Sequence, residues 1–344
     1  MRRWRCGMGK GRLCAGYGRI GGRRRARGRG RARRRAGLLQ DLQQRASSRC
    51  ARIGSAVMDP HSIAALMPET DGHQFVFYGD CCSGIPGAPF ASNFAQVNAA
   101  LQRLQPQPDF ILFLGDHIMG AYAEEHDLKG QWRYWFEREM AWLDADRVPI
   151  YHTTSNHNTL NAAAEDVWRE VLPDIPDNGP PGQEGLSYWV RRDDLLLAVV
   201  NTSYSGLGGP GHVESDWLHS VLSAHRDARH KIVAGHHPAL PVNGYDERPQ
   251  WCIARSEAEP FWQTLVQHGV LAYFCSHIIA FDVQEHQGVV QICSGGAGTN
   301  YGPGGFMGAG EYHHFAQAAL DEKELRLQTI DADGRIRERF SHPS

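Results

Sequence analysis

Aspartate, asparagine and histidine recur in this chain in five short clusters: Gly79-Asp80-Cys81-Cys82, Gly115-Asp116-His117, Ser155-Asn156-His157-Asn158, Gly235-His236-His237-Pro238 and Ser276-His277-Ile278-Ile279. Each follows an apolar run directly. Taken singly, a Gly-Asp is a common turn, and a lone histidine is more often a structural residue than a ligand. Taken in order, the clusters mix carboxylate, amide and imidazole, the donor set that suits a divalent transition metal of borderline hardness.

The apolar runs before the clusters, 74–78, 110–114, 148–152, 231–234 and 271–275, are short and rich in β-branched and aromatic residues, as are 195–200 and 289–293. They predict short buried strands. Between them, 92–104, 130–143, 161–171, 214–226 and 257–268 carry apolar residues at helical intervals. Trp132, Phe136, Met140 and Leu143 form one such stripe, read as a core-facing helix side rather than a ligand-binding box. Strands alternating with helices predict an α/β domain, to which 315–340 adds alternating strands with a turn at Asp333-Gly334. In such domains ligands gather at the carboxyl ends of strands, where all five clusters fall.

The order Asp, Gly-Asp, Asn-His, His, His resembles the calcineurin-like metallophosphoesterase superfamily across nearly all of 74–300. The likeness includes Asp216-Trp217-Leu218 leading into the strand before His236. The resemblance implies a four-layer sandwich, two facing mixed β-sheets flanked by helices. It implies two metals bridged by Asp116, the second held also by Asn156, His236 and His277. His236 rather than His237 matches the family ligand, being two residues before Pro238. Asp80 and His157 take the catalytic positions, with His157 at the leaving-group oxygen.

The first metal site departs from that pattern. Its family ligands are Asp80, the residue two beyond it, Asp116 and a second histidine in the last cluster, but Cys82 and Ile279 stand at two of these places. Isoleucine cannot bind a metal. The purple acid phosphatase branch completes its iron site with a Tyr three beyond the bridging Asp, and Met119 stands there. Cys82 is a thiolate ligand or a small buried thiol, the latter preferred, and His117 is a weaker stand-in. The acidic residue that orients the family's leaving-group histidine is replaced by Asn158, an amide that fixes the ring by hydrogen bonding but stabilises its charged form less. Asn201, His313 and His314 are further candidates to line the site. The Gly-rich stretch 294–310 lacks the Gly-Lys-Ser/Thr ending of a phosphate loop and reads as a flexible loop.

Charge divides the chain at Met58. Residues 1–57 hold 18 of the 36 Lys and Arg and a single acid, Asp41, so the two segments carry about +17 and −19. An Arg/Gly-rich segment with so few apolar residues cannot offset its ordering entropy, so 1–57 is expected to be a disordered tail, an upstream extension rather than part of the working protein. Nucleic acid could bind only through it. The catalytic domain is expected over 58–344. No apolar run approaches the roughly 18 residues of a membrane span, and eight cysteines without framework spacing suit reduced thiols and the cytoplasm.

These features together predict a metal-dependent hydrolase of a small phosphate mono- or diester, with about one divalent Fe, Mn or Zn per chain. Two alternatives are a pseudoenzyme that keeps one metal for binding, and a metalloenzyme on this fold acting on a non-phosphate substrate.

Overall fold

The computed structural model describes residues 61–122, 127–245, 250–300 and 310–344; the expected tail and residues 301–309 of the Gly-rich stretch lie outside these. One mixed sheet runs in the order β14 (Ile336–Pro343), β13 (Glu324–Asp331), β12 (His314–Leu320), β2 (His73–Tyr78), β4 (Phe110–Phe113) and β5 (Ile150–His152). The other runs β10 (Phe281–His286), β11 (Val289–Ser294), β9 (Ala272–Cys275), β8 (His230–Ala234), β7 (Leu195–Val199) and β6 (Tyr188–Arg192). A short parallel pair, β1 (Ile63–Ala64) with β3 (Leu104–Gln105), lies apart from both.

Period-two alternation explains why the sheets face each other. Phe75 and Phe77 point into the core between the sheets, whereas Val76 and Tyr78 point outward under helices. Likewise Leu195, Leu197 and Val199 face inward, and Leu196 and Ala198 outward. Phe274 bridges the layers, its ring meeting Phe75 and Phe77 edge-on at 5.5 and 4.8 Å. Truncating it to Ala is expected to cost about 3–5 kcal/mol.

Helices α1 (Ala91–Leu101), α2 (Leu128–Tyr134) and α3 (Ala162–Val171) cover the first sheet, and α4 (Ser215–Ala224) and α5 (Arg255–Gln267) the second. The layers are therefore α/β/β/α, as expected. Local signals set the helix starts: Asn161 caps α3 by accepting from the Ala164 N–H at 3.0 Å, and Asp127 caps α2 through Gly130 at 2.9 Å.

Several elements differ from what the sequence predicts, among them the short pair β1 and β3, the latter at the end of the helix expected over 92–104. The edge strands β6 and β10 were not anticipated, because a sequence such as Tyr-Trp-Val-Arg-Arg lacks a clean apolar alternation. The single helix expected over 130–143 ends at Tyr134, and a π-helical turn, Trp135–Glu139, follows. Its wide bond runs from Met140 N–H to the Trp135 carbonyl at 2.9 Å. Trp132 and Met140 are nonetheless buried and Phe136 packs against them, so the stripe faces the core as read. None of the described helices is long and apolar enough to cross a membrane.

Candidate metal centre

Asp80, Asp116 and Asn156 follow β2, β4 and β5 of one sheet, and His236 and His277 follow β8 and β9 of the other. The rims of the two sheets thus deliver all five to one place. The backbone turns sharply there: Asp80, Cys82, Asp116 and His277 have φ of 67°, 41°, 50° and 68°, four of the seven non-glycine residues of positive φ among the described residues. Such conformations cost about 1–3 kcal/mol each and persist only where the surroundings hold them. The holding is visible. Past the strands the β2–β4 ladder continues through Asp80 N–H to the Gly115 carbonyl (3.1 Å), Cys82 N–H to Asp116 (2.8 Å) and Ser83 N–H to His117 (3.1 Å). Glu139, at the end of the π turn, accepts from the Ser83 hydroxyl and from the Gly84 N–H at 2.9 Å. Gly115 must be glycine, since a Cβ there would lie 2.6 Å from His236 Nδ1.

Backbone carbonyls fix the tautomers of the two rings. His236 Nδ1 faces the Leu114 carbonyl at 2.8 Å, and His277 Nε2 faces the Gln250 carbonyl at 2.7 Å, so both of these nitrogens carry protons. Burial lowers the pKa of both rings, and His277, with His236 as its next cause, falls to about 4. Each ring is therefore neutral near pH 7, and the other nitrogens hold lone pairs. Those nitrogens, His236 Nε2 and His277 Nδ1, are 3.0 Å apart. Asn156 turns its amide oxygen to 2.9 Å from His236 Nε2, and Asp116 Oδ1 lies 3.4 Å from it. Four acceptors converge without a proton among them. Ligands about 2.0–2.2 Å from a shared ion stand about 3–3.5 Å apart, so the spacing fits a divalent cation.

Asp80 lies beside this set; donor atoms of Asp80, Asp116, His236 and His277 all fall within 4.8 Å of one another. Its Oδ2 accepts from the His277 N–H at 2.9 Å. The two carboxylates diverge in acidity. Burial, then the neighbouring Asp116, pushes Asp80 well up. Burial would raise Asp116 too, but His236, His157 and His277 outweigh it and hold it below the ordinary range. The buried centre thus tolerates one carboxylate charge and resists a second.

His157 stands on the other side of Asp116, with about a fifth of its side chain exposed (21%). Its Nδ1 donates to the Met119 carbonyl at 3.0 Å, leaving Nε2 3.9 Å from Asp116 Oδ2. Gly120 lets the chain pass: a Cβ there would sit 1.8 Å from the His157 carbonyl oxygen. Cys82, buried, completes a second group with Asp116 and His157.

Two expectations are corrected. Asn158 does not orient His157; its amide lies 2.6 Å from His117 Nδ1, and Met119, through its backbone, holds the catalytic candidate instead. His117 is no stand-in ligand. It turns into the core, stacks on Phe113 at 4.2 Å, and faces His152 Nδ1 at 3.0 Å inside a cage of Trp132, Trp135 and Trp168. Ile279 is buried and offers no donor. His237 turns to the Thr202 hydroxyl at 2.9 Å. Asn201, His313 and His314 are taken up by Thr154, Asn300 and Ser294, outside both donor groups. What the sequence reading missed are the carbonyls of Leu114, Met119 and Gln250, which leave no trace in residue type, and the Glu139 clamp, which comes from a distant helix.

Comparisons with known proteins bear on the family and the fold. A family model for calcineurin-like phosphoesterases matches residues 73–281. The serine/threonine-protein phosphatase CPPED1 of Danio rerio is 26% identical over 237 residues, 65% of this chain and 71% of the relative. Among solved structures, the purple acid phosphatase PPD1 from yellow lupin (Lupinus luteus) has a TM-score of 0.57 at 14% identity, over 81% of this chain. This chain covers 55% of the lupin protein's length. GAP50, described as the anchor in the inner membrane complex of Plasmodium, has a TM-score of 0.53 at 15% identity, over 79% of this chain and 88% of that one. At these identities the two structures speak to the fold, which they share with this chain. Since the family match spans more than half of the residues, the chain belongs to the calcineurin-like phosphoesterases, a family that uses divalent metals, and is a hydrolase of that family.

Proposed function

We propose that this chain hydrolyses a phosphate mono- or diester using one divalent cation, Fe, Mn or Zn, held by Asp116, Asn156, His236 and His277. The observation that carries this reading is the proton-free convergence of these four donors, with the two ring tautomers set by carbonyls behind them. When bound, the cation supplies Lewis acidity toward the ester oxygens and makes a water more acidic.

The chain's own residues do the rest. Asp80 positions His277 through the His277 N–H. His157, its ring fixed by Met119, presents Nε2 at the open side of Asp116, where it delivers a proton to the departing oxygen. The relative from Danio rerio, called a serine/threonine-protein phosphatase, makes a phosphorylated hydroxyl side chain or small phosphoester the substrate class of choice. Cys81, Cys82, Cys275 and Cys293 are buried thiols outside any disulfide, in keeping with a reducing, cytoplasmic setting. We take 58–344 as the catalytic domain and 1–57 as a dispensable tail.

A second reading, a binding protein that has lost turnover, is favoured by one feature. Buried Ile279 stands where the family has a ligand, so the family's first site is not rebuilt from matching residues. The test is turnover of p-nitrophenyl phosphate and its diester with Mn2+, Fe2+ or Zn2+, beside metal analysis of the same protein. Turnover that disappears in Asn156→Ala and His277→Ala supports the enzyme; metal bound without turnover of any ester supports the binding protein.

A further inference from the structure

A cavity of about 620 Å³ opens where β5 and β6, each the edge strand of its sheet, come together, the Tyr188 hydroxyl donating to the His152 carbonyl at 3.0 Å. That volume is within the roughly 300–1,000 Å³ of small-molecule sites. The lining includes none of Asp80, Asp116, Asn156, His157, His236 and His277. Phe136 of the π turn, Val171 at the end of α3, Ile150, Ile175 and Val190 form its walls, and all five are half-buried. Half-wet apolar side chains gathered on one concave surface are the mark of a binding site rather than of scattered surface residues. Pro173 and Pro176 fix the backbone of one wall, so its shape is set before anything enters.

One buried polar group is left over at this cavity. Asn158 accepts the Ile118 N–H on Oδ1 at 3.5 Å, so its Nδ2 is the atom that donates to His117 Nδ1 at 2.6 Å. His117 then carries its proton on Nε2 and donates it to His152 Nδ1 at 3.0 Å. The chain of donors ends at His152 Nε2, which bears the remaining proton and has no acceptor among the described residues. His152 is 5% exposed and lines the cavity. Its Nε2 is not among the described polar atoms that are fully enclosed without a partner, so the N–H keeps an opening to that space. Burial holds the ring neutral by pushing its pKa down to about 3. An acceptor that enters and takes up this N–H gains about 0.5–1.5 kcal/mol.

Charge narrows the ligand further. Asp146 and Asp174 stand exposed at the mouth, and among the described residues no Lys or Arg lines the cavity. An anion entering would exchange water for apolar walls without gaining a cation. We propose that this cavity binds an uncharged, largely apolar small molecule through one carbonyl or ether oxygen, received by the His152 Nε2 proton. The anionic phosphoester of the proposed function does not suit it, so the site is separate from the metal centre and does not depend on ester turnover.

The experiment titrates the full chain with prodan, a neutral naphthalene ketone whose emission moves to the blue on leaving water. Two relatives of similar shape then compete with it: the deoxo form, with propyl in place of propionyl, and the 6-dimethylamino-2-naphthoate anion. Binding that saturates near one equivalent is expected, with the ketone about threefold to tenfold tighter than the deoxo form and the naphthoate weaker than the ketone. A merely greasy surface orders ketone and deoxo form the other way, since the deoxo form is the more apolar. Val190→Trp, which fills the cavity from β6, should weaken prodan binding at least about tenfold with metal content unchanged, and the ketone preference should vanish in His152→Phe. The proposal is overturned by the absence of a saturable shift, by a deoxo form or naphthoate that binds as tightly as prodan, or by native prodan affinity in a folded Val190→Trp protein. Should Val190→Trp not fold, Ile175→Trp takes its place, and native affinity there overturns the proposal equally. A ketone preference that survives in a folded His152→Phe protein does so too; if that variant does not fold, the comparison of ketone with deoxo form on the native chain decides.

Discussion

The rings of His236 and His277 oppose each other across 3.0 Å with a lone pair on either side, each made so by a carbonyl that holds the proton on the far nitrogen. Two such acceptors repel unless a cation lies between them. Folding without metal therefore carries that repulsion, and metal binding relieves it. Adding Mn2+ or Zn2+ to chelated protein should stabilise it by RT ln(1 + [M]/Kd), about 4 kcal/mol at a thousandfold excess over Kd. At about 2–4 °C per kcal/mol for a domain of this size, melting should rise by roughly 8–16 °C. Scanning calorimetry with and without chelator checks this, and an Asn156→Ala protein that responds as fully as the native chain would refute it.

His157 stands across Asp116 from those rings, so its loss should spare the first metal. His157→Ala is expected to keep metal content and lower kcat by about 10²–10⁴. The deficit should be largest for alkyl phosphates, which need a proton on the leaving oxygen, and small for p-nitrophenyl phosphate. A uniform loss for both leaving groups would remove His157 from this role.

Gly120 is the spacer that lets His157 sit where it does. Its φ is 63°, and a Cβ would overlap the His157 carbonyl. Gly120→Ala should therefore destabilise the fold by more than about 1 kcal/mol and displace His157, lowering kcat while the substrate KM changes little. Steady-state kinetics beside urea melts read both effects; native kcat in a folded Gly120→Ala protein would contradict the contact.

Acid should unfold the protein through His117 and His152, buried side by side in the tryptophan cage. Burial pushes His152 down to about 3, and burial together with His152 pushes His117 well below its ordinary value. The unfolded chain protonates both near 6.5, so it binds more protons than the folded one below that pH. Stability is then full above about pH 6.5 and falls by about 1.4 kcal/mol per pH unit for each ring as pH drops toward 3. Urea titrations between pH 4.5 and 7 should give a slope that His152→Gln makes shallower by one proton. An unchanged slope in that variant would show that other groups govern acid unfolding.

The altered half of the family site gives the last prediction. Cys82→His with Ile279→His places family ligand types around Asp80 and Asp116, and should add a second metal equivalent and raise phosphoesterase turnover in a His157-dependent manner. A variant that folds and binds two metals yet works no faster would mean the native site serves a non-phosphate substrate.

The parts of this centre readable in the sequence were those written in side-chain type after an apolar run. Asp80, Asp116, Asn156, His236 and His277 each end a strand whose burial comes from its own composition, so strand order and ligand order coincide. His117 misled because Gly-Asp-His after a strand looks the same whether the ring turns outward or inward. Only the surrounding Phe113, Trp132, Trp135 and Trp168, contributed by three separate segments, decide its direction. The orientation of His157 rests on a main-chain oxygen of Met119, which any residue type would supply. Strand β6 escaped because an edge strand with one open side need not alternate.

The π turn at Trp135–Glu139 ties the outer helical layer to the metal rim. An α-helix advances about 100° per residue, and the extra residue in that turn sets the direction from which Glu139 reaches Ser83 and Gly84. Removing one residue there would swing the carboxylate off the loop by about that angle, while leaving the residues of the centre unchanged. The spacing of the helix is in effect a length standard for the metal site: Asp80 and Cys82 keep their strained backbone only while a turn some 50 residues later keeps its extra member.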